Sequence, residues 1–262
     1  MIELHQIAAA IYLAAGTGAV LGIALPAPRM SRGAAWGLAI GVLVQAFAFA
    51  TLHSLEPTPS IADLPAAVAL MAWMGNLFLL ILMWRHGVSG LVALAAPVSF
   101  LASFYAALRL PESVEPALGS GSLPHAHVLL SSAGLALLAL AGMSGLFFLV
   151  ENRRLKSKRP IGRGLRLPSL EALDRVNLSA LAVGFPLLTL GLITGMLWLQ
   201  DRLGRPWSGT AHEAWTAVAW GIYAGLAAAR FAGDQGARQA AASAVAASAF
   251  LVFAVIGVRF LA

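Results

Sequence analysis

The sequence predicts an all-α fold, a polytopic integral membrane helix bundle of about eight transmembrane helices with both termini periplasmic. Apolar residues make up 60% of the 262 residues and charged residues only 11%, whereas soluble domains average about 25% charged residues. Uncharged apolar stretches recur at close to the ~20 residues that a helix needs to cross a ~30 Å hydrocarbon layer. The loops that join these stretches alternate in charge, which indicates a fixed membrane topology.

Each predicted span is an apolar stretch that is expected to be a helix, because a helix satisfies its own backbone groups in lipid. The spans cover residues 4–25, 34–54, 65–84, 88–108, 125–150, 176–200, 212–230 and 239–260. The first has no basic region before it and no A-x-A site after it, so we expect a retained helix. The seventh is short, but the side chains of Glu213 and Arg230 can extend from its ends to the interface. Together the spans predict a single transmembrane domain over residues 1–262.

The charge of the loops predicts the orientation. One set of loops carries 13 of the 17 basic residues and is therefore predicted to be cytoplasmic. It consists of Arg29, Arg32, Arg85, the basic loop 151–175, Arg230 and Arg238. The other set includes the acidic segments 55–63 and 110–116 and is predicted to be periplasmic, in a bacterial inner (plasma) membrane. We interpret the basic loop as a topology determinant near anionic lipid, with no role in binding nucleic acid. Its end, 167–177, is predicted to be a short amphipathic helix along the membrane surface.

Several classes of function lack support in the sequence. Cysteine is absent, which excludes disulfides, a CxxC redox pair and thiolate ligation. Glycine-rich phosphate loops, a nucleophile elbow, HExxH and paired catalytic carboxylates are also absent, so no conventional hydrolase or kinase is indicated. Away from their ends the spans contain Gln45, Asn76 and scattered Ser and Thr but no charged residue, which disfavours an ion-coupled small-molecule transporter.

Histidines are the most informative polar residues. Five of the six fall at or near the predicted outer side, namely His5, His53, His125, His127 and His212. Neutral imidazole is a common ligand of haem and metals, although a histidine at a helix end is often only an interfacial polar residue. His127 is the best-placed candidate, because small residues follow it at helical spacing over 131–145. That narrow face could accept either a flat ligand or a closely packed helix.

A series of motifs follows His127 in a distinctive order. The series runs HV at 127–128, ENRRLKSKRP at 151–160, LPSLEALDRVN at 167–177, GFPLLTLGLITG at 184–195 and WSGTAHEAW at 207–215. In this order it resembles the cytochrome c assembly proteins of the CcsA and CcmC type, most closely the short HemX/YpjD-like branch. The resemblance covers residues 127–260. It implies a haem-binding or haem-delivery membrane protein associated with c-type cytochrome assembly.

The external Trp/His segment, 201–215, resembles the tryptophan-rich motif of that family, typically WSWDPKE followed by one residue and W. Trp207, Ser208, Glu213 and Trp215 match it, whereas Gly209 and Thr210 replace the central tryptophan and aspartate, and His212 stands at the usual lysine. Because glycine removes one ring of a flat indole platform, the motif is degenerate. The chain is therefore not expected to be an enzyme in the sense of a complete cytochrome c synthase.

The resemblance implies a specific set of site residues. His127 would ligate haem iron, Trp207 and Trp215 would flank the porphyrin, and Arg202 or Arg205 would pair with a propionate. His53 is the second axial ligand to test first, because the second external histidine of long members has no counterpart here. His212 is either a further donor or an interfacial cap of the seventh helix.

Partners implied by this assignment are membrane lipids, haem, and other cytochrome c assembly proteins or an apocytochrome. A different class of function is a ligand-free membrane scaffold or regulator of haem metabolism, which would use the small-residue faces of the helices to bind other membrane proteins. The haem content of the purified protein discriminates between the two.

Overall fold

The computed structural model describes residues 2–25, 27–54, 61, 63–110, 122–157, 167–233 and 235–254. Within these ranges the chain is all-helical and contains eight α-helices, one for each predicted span. They are α1 (Ile2–Ala24), α2 (Pro28–His53), α3 (Leu64–His86), α4 (Val92–Arg109), α5 (Ser122–Lys156), α6 (Leu170–Leu203), α7 (Ala211–Phe231) and α8 (Ala237–Val252). A short 3-10 turn, Ser89–Leu91, leads into α4.

Six helices in the described ranges, α1 to α6, are long and apolar enough to cross a membrane. Their outward faces carry large apolar side chains, and Trp84 on α3 is 87% exposed. Large exposed apolar side chains on helices of this length are typical of a surface that faces lipid. The predicted multi-pass helical membrane protein is thereby confirmed. The count of eight spans and the periplasmic position of both termini remain predictions, since α7 is outside that set and α8 has only 16 residues.

The fifth and sixth helices extend beyond the predicted spans. α5 is 35 residues long, which at ~1.5 Å per residue gives about 52 Å and exceeds the hydrocarbon thickness. The predicted surface helix at 167–177 is continuous with α6, which begins at Leu170 after the Ser169 hydroxyl accepts the N–H of Ala172. Residues 158–166 of the basic loop, 55–60 and 111–116 of the acidic segments, and 255–260 of the last predicted span lie outside the described residues.

The chain forms two compact units, and the prediction of a single domain stays a prediction. The first unit contains α1 to α4, which pack closely where glycines meet bulky neighbours, as Gly16 does against Pro97. Buried polar side chains bridge its helices. Tyr12 donates to Oε1 of Gln45 at 2.7 Å, and Nε2 of Gln45 donates to the Ala69 carbonyl at 3.0 Å. The amide oxygen and the amide nitrogen of Gln45 therefore both have hydrogen-bond partners within the first unit.

The second unit contains α5 to α8 in antiparallel order. Asn177 of α6 donates to the Ala141 carbonyl of α5 at 3.0 Å, and Ser248 of α8 donates to the Leu138 carbonyl at 3.0 Å. The small-residue face of α5 is filled by these neighbours. A Cβ at Gly134 would lie 2.5 Å from the backbone nitrogen of Leu188, and one at Gly145 would lie 2.6 Å from the Ala241 carbonyl oxygen. Of the two alternatives for this face, the structure shows close helix packing.

Candidate functional site

The imidazole of His127 lies in a notch between α5 and α6. The notch exists because Gly195 has no side chain. A Cβ at that position would lie 2.7 Å from Nδ1 and 2.8 Å from Cε1 of His127. Gly191, one turn earlier on α6, meets Ser131 of α5 with equal closeness, since a Cβ there would lie 2.8 Å from the Ser131 backbone nitrogen. The missing side chain of Gly195 therefore makes the space that the ring fills, and that of Gly191 lets Ser131 approach α6 beside it.

A hydrogen bond to the backbone of α6 orients this ring. Nδ1 of His127 lies 2.7 Å from the Gly191 carbonyl oxygen, and Ser131 Oγ lies 3.5 Å from the same nitrogen. Because a carbonyl oxygen only accepts, Nδ1 must carry the proton and donate it. In the neutral ring the lone pair then resides on Nε2. Within the described ranges Nε2 has no hydrogen-bond partner.

This arrangement has the donor chemistry of a haem or metal ligand. Histidine ligands usually donate the N–H of the other ring nitrogen to a carbonyl or carboxylate, which fixes the tautomer and the ring orientation. His127 makes that bond to Gly191 in a cradle that any larger residue at 195 would fill. The described residues contain no group of three or more His, Cys, Asp or Glu that could hold a bare metal ion. A single oriented imidazole is the kind of axial ligand that haem iron takes from a protein.

The antiparallel packing of α5 on α6 places His127 at the same end of the second unit as the external Trp/His segment. His127 contacts α6 at Gly191 and Gly195. From there α6 continues for only about two turns, at ~3.6 residues per turn, before it ends at Leu203. The segment then leads into α7, which begins at Ala211. None of its side chains hydrogen-bonds to His127 in the part of the chain that the structure describes.

The two tryptophans of this segment have different surroundings. The Trp215 ring packs against Phe250 of α8 and Phe253 at its end, at centroid distances of 5.8 and 5.5 Å. Trp207 is 39% exposed and lies just before the turn at 208–210. Trp215 is held by aromatic packing, but at 36% exposed it presents nearly as much of its surface to the surroundings as Trp207 does.

The Glu213 carboxylate stabilises the turn at 208–210, which lies between Trp207 and Trp215. Its carboxylate accepts the N–H of Ser208 at 2.9 Å, the N–H of Gly209 at 3.1 Å and the hydroxyl of Ser208, while its own N–H donates to Thr210 Oγ1. Burial acts to raise the pKa of the Glu213 carboxyl, but these hydrogen bonds outweigh it and hold the pKa below its usual value. The T-x-x-E capping-box pattern at 210–213 is the signal that could have revealed this role.

The backbone conformation at position 209 explains why glycine stands where the family has its central tryptophan. Gly209 has a φ of +88°, in a region that L side chains rarely adopt. An indole at this position would strain the turn that Glu213 closes. At Gly209 the degenerate motif therefore has a backbone conformation that a tryptophan would rarely adopt.

The two predicted arginines are exposed at the end of α6 and in the turn that follows. The Arg202 guanidinium carbon lies 5.8 Å from the centroid of the Trp198 ring, a cation–π arrangement. Arg205 lies in the turn between Leu203 and Trp207. Both side chains are accessible to an anionic group that approaches this end of the unit.

The remaining histidines differ in position. His53 is exposed and is the last residue of α2, in the first unit, so its pairing with His127 stays a prediction. The backbone of His212 lies in the first turn of α7, and its side chain is outside the described residues. His5 is fully buried, and its ring meets Phe49 edge-on at 5.4 Å. His5 is thus part of the packed interior of the first unit, although the sequence predicts a location near the outer side of the membrane.

Comparison with known proteins identifies the family. The family model described as Cytochrome C assembly protein matches residues 61–262, a longer part of the chain than the motifs alone indicated. The cytochrome c biogenesis protein CcsA of Prochlorococcus marinus is 32% identical over 232 residues, which cover 77% of this chain and 73% of that protein. CcsA of Gloeobacter violaceus is 38% identical over 104 residues, with 38% and 30% covered. The assignment to the HemX/YpjD-like branch stays a prediction. The chain belongs to the cytochrome c assembly protein family.

Proposed function

We propose that this protein binds haem through Nε2 of His127 and holds or delivers it during c-type cytochrome assembly at the outer face of a bacterial inner membrane. The observation that carries the proposal is the 2.7 Å hydrogen bond from Nδ1 to the Gly191 carbonyl. It leaves the lone pair on the nitrogen that faces away from that carbonyl. The relatives named for cytochrome c biogenesis and the family match support the same pathway.

The chain acts by coordination and orientation. Haem, when bound, supplies an iron centre that accepts the Nε2 lone pair. The imidazole is kept from rotating because it fills the space that the missing side chain of Gly195 leaves and is hydrogen-bonded to the Gly191 carbonyl. A preoriented ligand loses less freedom on binding, and so binds more tightly. In this proposal no residue of the set forms or breaks a covalent bond.

The external segment would complete the site from the same end of the unit. Trp207 offers a partly exposed indole face for the porphyrin, and Glu213 holds the adjacent turn in place. Arg205, exposed in the bend between α6 and Trp207, is suited to pair with a propionate through charge-assisted hydrogen bonds. Trp215 would contribute mainly by anchoring the segment to Phe250 of α8 and Phe253 at its end. A protein partner, such as an assembly protein or an apocytochrome, would approach this exposed face.

Optical spectroscopy on the purified full chain tests the proposal. Protein from haem-replete cells should show a Soret band, and His127→Ala should lose most of it because iron loses its ligand. His86→Ala is the matched control, since His86 ends α3 on the predicted cytoplasmic side and should leave the band unchanged. A wild-type protein without the band, or a His127→Ala protein that keeps it, would refute the assignment.

A further inference from the structure

The carbonyl that holds His127 has a second side-chain donor beside it. The Gly191 oxygen lies 2.7 Å from Nδ1 of His127 and 2.9 Å from the hydroxyl of Thr194 on the same helix. We propose that Thr194 sets the electron-donor strength of His127 by competing for this carbonyl. The inference rests on the proposed function, in which Nε2 of His127 is the iron ligand. Thr194 is thereby a positioning residue that acts through His127.

The competition follows from a count of donors and lone pairs. A carbonyl oxygen has two lone pairs. Inside an α-helix the oxygen of residue 191 also accepts the backbone N–H of residue 195, so the imidazole and the Thr194 hydroxyl share what remains. The hydroxyl has one proton and a second acceptor, the Leu190 carbonyl, also at 2.9 Å. Whenever the hydroxyl donates to Gly191, the bond from Nδ1 is weakened.

The strength of that bond affects the opposite ring nitrogen. A stronger hydrogen bond from Nδ1 shifts electron density through the ring to Nε2 and makes it a better donor. A better donor stabilises oxidised iron relative to reduced iron, and hydrogen bonds of this kind are one of the ways by which proteins set haem potentials. Removing the Thr194 hydroxyl should therefore strengthen the bond to Gly191 and lower the reduction potential.

The competing explanation is that Thr194 only bonds back to its own helix, as threonines in helices often do. Thr17 on α1 provides a matched control, because its hydroxyl donates to the Leu13 carbonyl at 2.9 Å in the same manner. The Thr17→Val substitution makes the same chemical change at a carbonyl that no histidine shares within the described residues. A conservative Thr194→Ser substitution keeps the hydroxyl and should behave as the wild type.

The first measurement needs no haem. Haem-free protein labelled with ¹⁵N-histidine in lipid should show His127 protonated at Nδ1, with the resonance assigned by its loss in His127→Ala. Thr194→Val should move the Nδ1 proton downfield, as expected of a stronger hydrogen bond, whereas Thr194→Ser and Thr17→Val should leave it unchanged. An unchanged proton in Thr194→Val, or a ring protonated at Nε2 instead, would overturn the inference.

The second measurement uses the haem-loaded protein. A change of about threefold in the redox equilibrium corresponds to a potential about 28 mV more negative in Thr194→Val, at ~59 mV per tenfold for one electron. An unchanged potential in protein that binds haem would contradict the role of Thr194. If the chain binds no haem at all, the proposed function fails, while the proton resonance still decides whether Thr194 weakens the bond at Nδ1.

Discussion

Substitution of Gly195 by alanine is the sharpest perturbation of the His127 notch. The added Cβ would lie 2.7 Å from Nδ1, and ordinary contact begins at 3.4 Å. The ring must therefore retreat by about 0.7 Å, which lengthens its 2.7 Å hydrogen bond to Gly191 beyond the ~3.2 Å limit for a good bond. Loss of that bond costs about 0.5–1.5 kcal/mol. Overpacking adds about 1–3 kcal/mol, and the higher helix propensity of alanine returns about 0.5–1 kcal/mol.

The expected net result of Gly195→Ala is a loss of about 0.5–4 kcal/mol of stability, from the terms above, together with weaker haem binding. Disturbing the partner of a metal-ligating histidine typically reduces affinity about 10–100-fold. Thermal unfolding and haem titration of the detergent-purified protein measure the two effects. Gly221→Ala is the matched control, because a Cβ at that position on α7 meets nothing within 4 Å. A Gly195→Ala protein with wild-type haem affinity would refute the notch as the determinant of His127 orientation.

Two further substitutions, at Glu213 and at Arg230, test interactions that stabilise the second unit. Glu213→Gln removes the charge that accepts the N–H groups of Ser208 and Gly209, so those amides should exchange their hydrogens faster while the helices stay folded. Because the pKa of Glu213 lies below its usual value of 4.5, its stabilising effect is complete above that value and is lost as the pH falls through the lowered one; an acid-insensitive turn would contradict this. Arg230→Ala breaks the 2.8 Å bonds to both oxygens of Asp174 and should cost about 1.5–3 kcal/mol in unfolding experiments. The exposed Arg238 provides the control, since Arg238→Ala should change stability by less than ~0.5 kcal/mol.

The helices were predictable because the length of an apolar run matches the thickness of the hydrocarbon layer that it must cross. The same property explains why two helices are longer than the predicted spans, since α5 and α6 continue beyond their apolar parts. Over 151–156, charged residues that form good helices extend α5 beyond its apolar part. Hydropathy cannot detect such extensions.

The details of the site depend on contacts that sequence spacing does not encode. His127 and Gly191 are 64 residues apart, and their contact follows from the register of two antiparallel helices. The small residues over 131–145 left open whether a helix or a flat ligand packs there, and nothing in their spacing showed that α6 receives the imidazole of His127. Glu213 was missed for a related reason, because its partners are backbone N–H groups that converge only once the turn at Gly209 has formed.

Chemical rescue is the most direct test of the claim that His127 is the iron ligand. A His127→Gly protein should fold, because the ring occupies a notch at the edge of the α5–α6 contact, and it should lack the Soret band. Added imidazole should enter the vacated notch and restore the band, with a spectrum close to that of the wild type. A band that is present without imidazole, or a folded protein that imidazole fails to restore, would contradict the account.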